Sequence, residues 1–279
     1  AYANNKLAAG LGHTCAILDN GGLKCWGYDL WGQLGDGGPA WTTSNPTDLN
    51  TPSSTAIDLG TGRTAVAVSA GEGHTCALLD NGDVKCWGDD HWGQLGDGGG
   101  GTQTYAPSTT PIDFGTGRTA VAIDAGEHYA CAILHNGDFK CWGHNDKDQF
   151  GASVSSTGVH NYQPSNAINL GAGRTAVAVS AGEDHTCVIL DNGDLKCMGY
   201  NNNGQLGDGT TTNRATPVSV NLGTGRTAVA VSAGGSHTCA ILDNGDLKCW
   251  GGGGAGALGH GANTNLLAPP STAIDLGTG

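Results

Sequence analysis

The chain has 279 residues, enough for a large core, and carries a net charge of −13 with only 13% charged residues. That acidity opposes binding to a nucleic-acid phosphate backbone, and no run of about 18 apolar residues offers a membrane-spanning segment. Its 50 glycines recur at intervals between Val, Ile, Leu and Trp, which marks tight turns between short strands rather than disorder.

In chain order, "AYANN" reads as a mature end left by signal-peptide cleavage. "NNKLAAG" then predicts a degenerate first strand. "HTCAILDNGGLKCWG" (13–27) reads as strand, turn and strand, and close copies follow at 74–88, 129–143, 185–199 and 237–251. Successive first cysteines lie 61, 55, 56 and 52 residues apart, so one unit recurs about every 56 residues. The second unit shows the whole pattern. A small-residue strand, "RTAVAVSAG" (63–71), leads into the hairpin. "GQLGDG" (93–98) opens a variable loop, and "TPIDFGTG" (110–117) predicts a fourth short strand. Four strands per unit without a helical period predict an all-β fold. The expectation is a β-propeller of five four-stranded blades in a single domain over 1–279, with repeats near 1–62, 63–117, 118–173, 174–225 and 226–279.

The second unit, "AGEGHTCALLDNGDVKCWGDDHWGQLGDG", resembles the repeat of the regulator of chromosome condensation family, and the likeness recurs in all five units. The resemblance implies a propeller, usually of seven blades in that family. Five whole units therefore leave three ways to close: side-to-side packing, further blades of a longer precursor, or another copy of the chain.

Hairpin geometry constrains the cysteines. A two-residue loop at Asn20-Gly21 would put Cys15 and Cys25 on opposite faces. A type I turn on Asp19-Asn20 followed by left-handed Gly21 instead pairs Leu18 with Gly22, Ile17 with Leu23, Ala16 with Lys24 and Cys15 with Cys25. That is a non-hydrogen-bonded pair, with Cα atoms about 4.5 Å apart, within reach of a disulfide. Five intra-hairpin disulfides are expected: Cys15–Cys25, Cys76–Cys86, Cys131–Cys141, Cys187–Cys197 and Cys239–Cys249. Free buried thiols and a metal site are the rival readings, but structural zinc favours a tight knuckle that the nine-residue gap does not supply. Disulfides imply an oxidising location: secreted, cell-surface or periplasmic.

Each repeated polar residue has a structural reading. His13, His74, His185 and His237 precede Thr-Cys, with Tyr129 in the third unit, and are expected to bond backbone at the strand start. Asp19, Asp80, Asp191 and Asp243 stabilise the turn. Asp83, Asp138, Asp194 and Asp246 follow the turn glycine, without calcium-loop spacing. Trp26, Trp87, Trp142 and Trp250, with Met198 in the fourth unit, are expected between blades. Lys24, Lys85, Lys140, Lys196 and Lys248 are expected on the surface. No nucleophile elbow, phosphate loop or dinucleotide fingerprint occurs, so no catalytic residue, metal or cofactor is assigned.

Partner binding is assigned to the variable loops, through Trp31, Trp41, Trp92, Tyr105 and Tyr162, with His91, His144 and His160 nearby. The expected function is non-enzymatic: an extracellular or surface-displayed structural or protein-binding module, open to head-to-tail self-assembly into a fibre. The alternative is a secreted inhibitor or capture protein, since the family includes a secreted enzyme inhibitor. Guanine-nucleotide exchange, the activity of the founding member, is opposed by the acidity and the cysteine pairs, and no exchange residues carry over.

Overall fold

The computed structural model of the protein describes residues 5–38, 48–151, 160–161, 163–164 and 166–277. Among these, the strands form five antiparallel meanders. The first holds β1 (Leu7–Ala9), β2 (His13–Ile17) and β3 (Leu23–Gly27). The second holds β4 (Ala65–Ala70), β5 (His74–Leu79) and β6 (Val84–Gly88). In the third are β7 (Ala120–Ala125), β8 (Tyr129–Leu134), β9 (Phe139–His144) and β10 (His160–Asn161). The fourth comprises β11 (Ala176–Ala181), β12 (His185–Leu190), β13 (Leu195–Gly199) and β14 (Arg214–Ser219). The fifth comprises β15 (Ala228–Ala233), β16 (His237–Leu242) and β17 (Leu247–Gly251). The chain divides into two compact units, residues 1–144 with 155–167 and residues 145–154 with 168–279. No helix among the described residues is long and apolar enough to cross a membrane.

The hairpins take the register counted from the sequence. The Leu18 amide donates to the Gly22 carbonyl at 2.8 Å, and Gly21 has φ 79°. Cys15 then faces Cys25, with Ile17 opposite Leu23. The same turn recurs at Gly82, Gly137, Gly193 and Gly245, with φ of 80–88°. All five expected disulfides are present, with Cα atoms 4.0–4.1 Å apart.

Blades stack disulfide face to tryptophan face. In the first unit, Cys15, Ile17, Leu23 and Cys25 pack with Val68, Ala77, Leu79 and Trp87 of the next blade. Cys76, Leu78, Val84 and Cys86 pack in turn with Ala132, Leu134 and Trp142. Between the fourth and fifth blades Cys187, Ile189, Leu195 and Cys197 meet Ala240, Leu242 and Trp250. Each large apolar side chain buried this way is worth about 1.5–3 kcal/mol, so these junctions hold the core. The indole N–H groups of Trp87, Trp142 and Trp250 donate at 3.0 Å to the carbonyls of Gln33, Gln94 and Gln205, the glutamines of the preceding blade's GQLG loop. The glycine two residues after each of these glutamines is obligatory. At Gly35 (φ 69°) an added Cβ would lie 2.4 Å from the Trp87 indole nitrogen.

Two expectations change. The fourth strand exists as a strand only in β10 and β14 among the described residues; β10 lies before the segment equivalent to 110–117, and β14 reaches into it only with Val218 and Ser219. There the backbone makes single contacts, such as Ile112 N–H to the Val84 carbonyl at 2.9 Å. Prolines such as Pro107 and Pro111 lack the N–H that a regular ladder needs. The hairpin lysines are not simply surface residues: Lys85, Lys140 and Lys248 are buried. Their stems lie between blades, and Lys140, Lys196 and Lys248 donate to the carbonyls of Phe114, Leu170 and Leu222 at 2.8–3.1 Å.

Candidate functional site

The loops that precede the second strand and follow the third meet at one end of the sheets. In the first two blades the loop after the third strand is built identically. The Asp29 carboxylate accepts the Leu34 amide at 2.8 Å, and the Gln33 side chain accepts the Trp31 amide at 2.9 Å. In the second blade Asp90 accepts Leu95 at 3.1 Å, and Gln94 accepts Trp92 at 2.8 Å. Trp31 and Trp92 therefore occupy the same turn position on neighbouring blades. Burial above all pushes the Asp29 and Asp90 carboxyls up to about 6, against the loop amides that they accept.

Trp31 lies over Gly73 of the second blade, where an added Cβ would sit 3.0 Å from its ring. His91 stands edge-on to Trp31, with centroids 5.3 Å apart, and bonds the buried Asp89 carboxylate. The second oxygen of Asp89 accepts the Gln94 side-chain amide at 2.8 Å. Trp92 is 37% exposed and packs its ring against His144 at 4.7 Å and His128 at 6.3 Å. The His128 Nε2 lies 3.2 Å from Glu72 and 3.9 Å from Glu127. Trp31, His91, Trp92, His128, Asp89 and Glu72 enclose a cleft of about 300 Å³ floored by Gly73.

Glu72, Glu127 and His128 bring three potential ligand atoms within 4.8 Å of one another. The cleft offers aromatic faces beside carboxylates, which is recognition chemistry.

Of the aromatic residues assigned from the sequence, Trp31 and Trp92 come together here. Tyr105 lies elsewhere, against Gly32, with its hydroxyl bonded by Gln103. Trp41 and Tyr162 lie outside the described residues. Sequence reasoning did not single out Glu72 and His128. Their signal was variation at a repeat position: Leu11, Glu72, Glu127, Glu183 and Gly235 are equivalent, as are Gly12, Gly73, His128, Asp184 and Ser236. Two other crevices, one lined by Cys25, Leu34 and Ile57 and one by Cys86, Leu95 and Ile112, occupy equivalent places and follow from the repeat.

Comparison with known proteins agrees with this architecture. The human E3 ubiquitin-protein ligase HERC2 is 30% identical over 84% of this chain, which spans 5% of HERC2. The ultraviolet-B receptor UVR8 of Arabidopsis thaliana is 26% identical over 95% of this chain and 56% of its own length. Among solved structures, human WBSCR16 superposes with a TM-score of 0.83 at 21% identity, covering 97% of this chain and 66% of its own. Yeast RCC1 (Prp20), solved bound to Kap60, gives 0.59 at 20% identity, covering 96% of this chain and 74% of its own. At such identities the structural likeness concerns the fold. The RCC1-like domain profile matches residues 3–277, and the chain belongs to that family.

Proposed function

We propose that the chain is a non-enzymatic protein-binding module, secreted or displayed on a cell surface or in a periplasm, and that it binds through the cleft between Trp31 and Trp92. One observation carries the reading. The position of Trp31 and Trp92 is held by Lys147, Asn203 and Ala255 in the other three repeats. The fold therefore does not require an aromatic side chain there, yet two stand side by side around a cleft. A rigid scaffold presenting variable aromatic loops is the usual form of a binding surface. Yeast RCC1, which shares this fold, was solved bound to Kap60, although a shared fold does not transfer a partner or an activity. The location rests on five disulfides with no free cysteine among the described residues. Capture of proteins from the native medium with wild type and with the Trp31→Ala/Trp92→Ala double variant tests the binding. Equal capture by both would overturn it. Thiol alkylation of protein isolated without reductant tests the location, and ten free thiols would remove its basis.

A second reading, self-association, is favoured by exposed apolar residues on one face of the first blade and one face of the fifth. Leu7 and Leu18 of the first blade are 66% and 41% exposed, whereas the equivalent Val68 and Leu79 are 1% exposed. On the disulfide face of the fifth blade, Val229 and Ile241 are 62% and 42% exposed, whereas Leu78, the equivalent of Ile241, is 2% exposed and Val66, the equivalent of Val229, is partly buried. These are the two halves of one blade junction, and a second copy of the chain would supply each with its complement. Ile241→Glu should then abolish oligomers seen by light scattering. Monomers at every concentration, with or without the change, would rule this reading out.

A further inference from the structure

We propose that the Trp31–Trp92 cleft binds a cationic side chain, a lysine or arginine presented by an extended peptide segment; this rests on the protein-binding reading above. The two indoles provide π faces, which attract a cation and hold its aliphatic stem. Carboxylates stand beside them. Glu72 is half-buried, uses one oxygen on His128, and lies next to Glu127. Asp89 is buried and adds negative charge at the cleft wall. A volume of about 300 Å³ admits a guanidinium group with its stem but not a folded domain. The surroundings favour the same sign, because the chain carries a net charge of −13 and would steer a basic segment towards itself. An anionic ligand would meet Glu72 and Asp89, with no lysine or arginine among the described residues that line the cleft.

The test titrates the full chain with a hexa-arginine peptide and with its hexa-citrulline isostere, which keeps the shape and removes the charge. Isothermal calorimetry and tryptophan fluorescence report binding. The arginine peptide should bind at least about tenfold more tightly than the citrulline peptide, and raised salt should weaken it. Glu72→Gln and Trp92→Leu should each weaken binding about tenfold, while Trp92→Phe retains most of it. Asp83→Asn removes the same charge from the hairpin turn at the far end of β5 and should change affinity less than about twofold. Equal binding of the citrulline peptide overturns the proposal, as does an Asp83→Asn loss equal to that of Glu72→Gln, which would show bulk attraction. A captured protein whose binding needs Trp31 and Trp92 but survives replacement of its basic residues would defeat the cationic class and leave the protein-binding reading intact.

Discussion

The Nε2 of His13 lies 2.8 Å from the Oγ1 of Thr75 on the next blade, and that hydroxyl donates to the Gln33 carbonyl at 2.8 Å. His185, Thr238 and Gln205 repeat the relay at the same distances between the fourth and fifth blades. Because the threonine proton goes to the carbonyl, the imidazole must donate through Nε2. Burial above all lowers its pKa, to about 4 at His13 and about 3 at His185, so the ring is neutral at physiological pH. The recurring histidine is thus structural, as the repeat implied, but its partner is a side chain of the neighbouring blade.

The third blade breaks this relay. Ala130 replaces the threonine, and neither ring nitrogen of the fully buried His74 has a hydrogen-bond partner among the described residues. Ala130→Thr restores the missing hydroxyl. It should stabilise the protein by about 1 kcal/mol, the net worth of a buried hydrogen bond, while Thr75→Ala should cost about 1–3 kcal/mol. Denaturant midpoints of the two variants check both signs. Destabilisation by Ala130→Thr would mean that the pocket beside His74 cannot take the added atoms.

The glycines of the GQLG loop separate steric from conformational cost. Gly35 and Gly37 both have positive φ, 69° and 76°. An added Cβ at Gly35 would run into Trp87, whereas at Gly37 no atom of the described residues lies within 4 Å. Gly37→Ala should cost about 1 kcal/mol for the left-handed backbone alone. Gly35→Ala should cost that plus about 1–3 kcal/mol of overpacking at the blade junction. Thermal melts of the pair measure the difference, and equal losses would contradict the indole contact.

The sheet architecture was legible because it rests on local geometry. A nine-residue gap across a bulged turn has one register that brings Cys15 to Cys25, and the alternation of Cys15 and Ile17 reveals the apolar face. The outer strand was not legible, because the residues after Gly88 alternate weakly and contain prolines, so they bond only at isolated points such as Gly88 with Thr104. The buried lysines were hidden by composition: a charged residue opposite a small one reads as solvated until the carbonyl that receives it, such as Phe114 for Lys140, is placed by the neighbouring blade. Half of the cleft was visible, since Trp31 and Trp92 depart from the repeat. Glu72 and His128 join it only through blade stacking, a relation between residues 56 apart that no local pattern encodes.

Asp29 and Asp90 make stability depend on pH. A carboxyl raised to about 6 in the folded state, against an ordinary value of 3.8, holds its proton longer when folded. Stability is therefore lost as pH rises from about 4 to 6. Asparagine already serves at the equivalent position. The Asn201 side chain accepts the Leu206 amide at 2.9 Å and donates to the Thr212 carbonyl at 3.0 Å, so a neutral side chain is accommodated in this loop. Asp90→Asn should stabilise the protein by about 1 kcal/mol above pH 7, after allowance for solvent screening, and by little at pH 4. Melting temperatures of wild type and variant across that range test it; a gain that grows on acidification would reverse the assignment.

The disulfides should differ in worth by position although their hairpins match. Each closes a loop that the chain-entropy model values at about 2.5–3 kcal/mol. Cys76 and Cys86 are also buried against the third blade, so removing their sulfurs leaves a gap in that junction. In the fifth blade Cys239 is half-exposed. Cys239→Ala/Cys249→Ala should cost the loop term alone, whereas Cys76→Ala/Cys86→Ala should cost about 1–2 kcal/mol more through lost packing. Accessibility sets the kinetics as well, since a thiolate must reach a sulfur to reduce the bond. Under mild reductant, quenched alkylation with peptide mapping should find Cys239–Cys249 open before Cys76–Cys86. The reverse order would place the solvent-facing junction somewhere other than the outer face of the fifth blade.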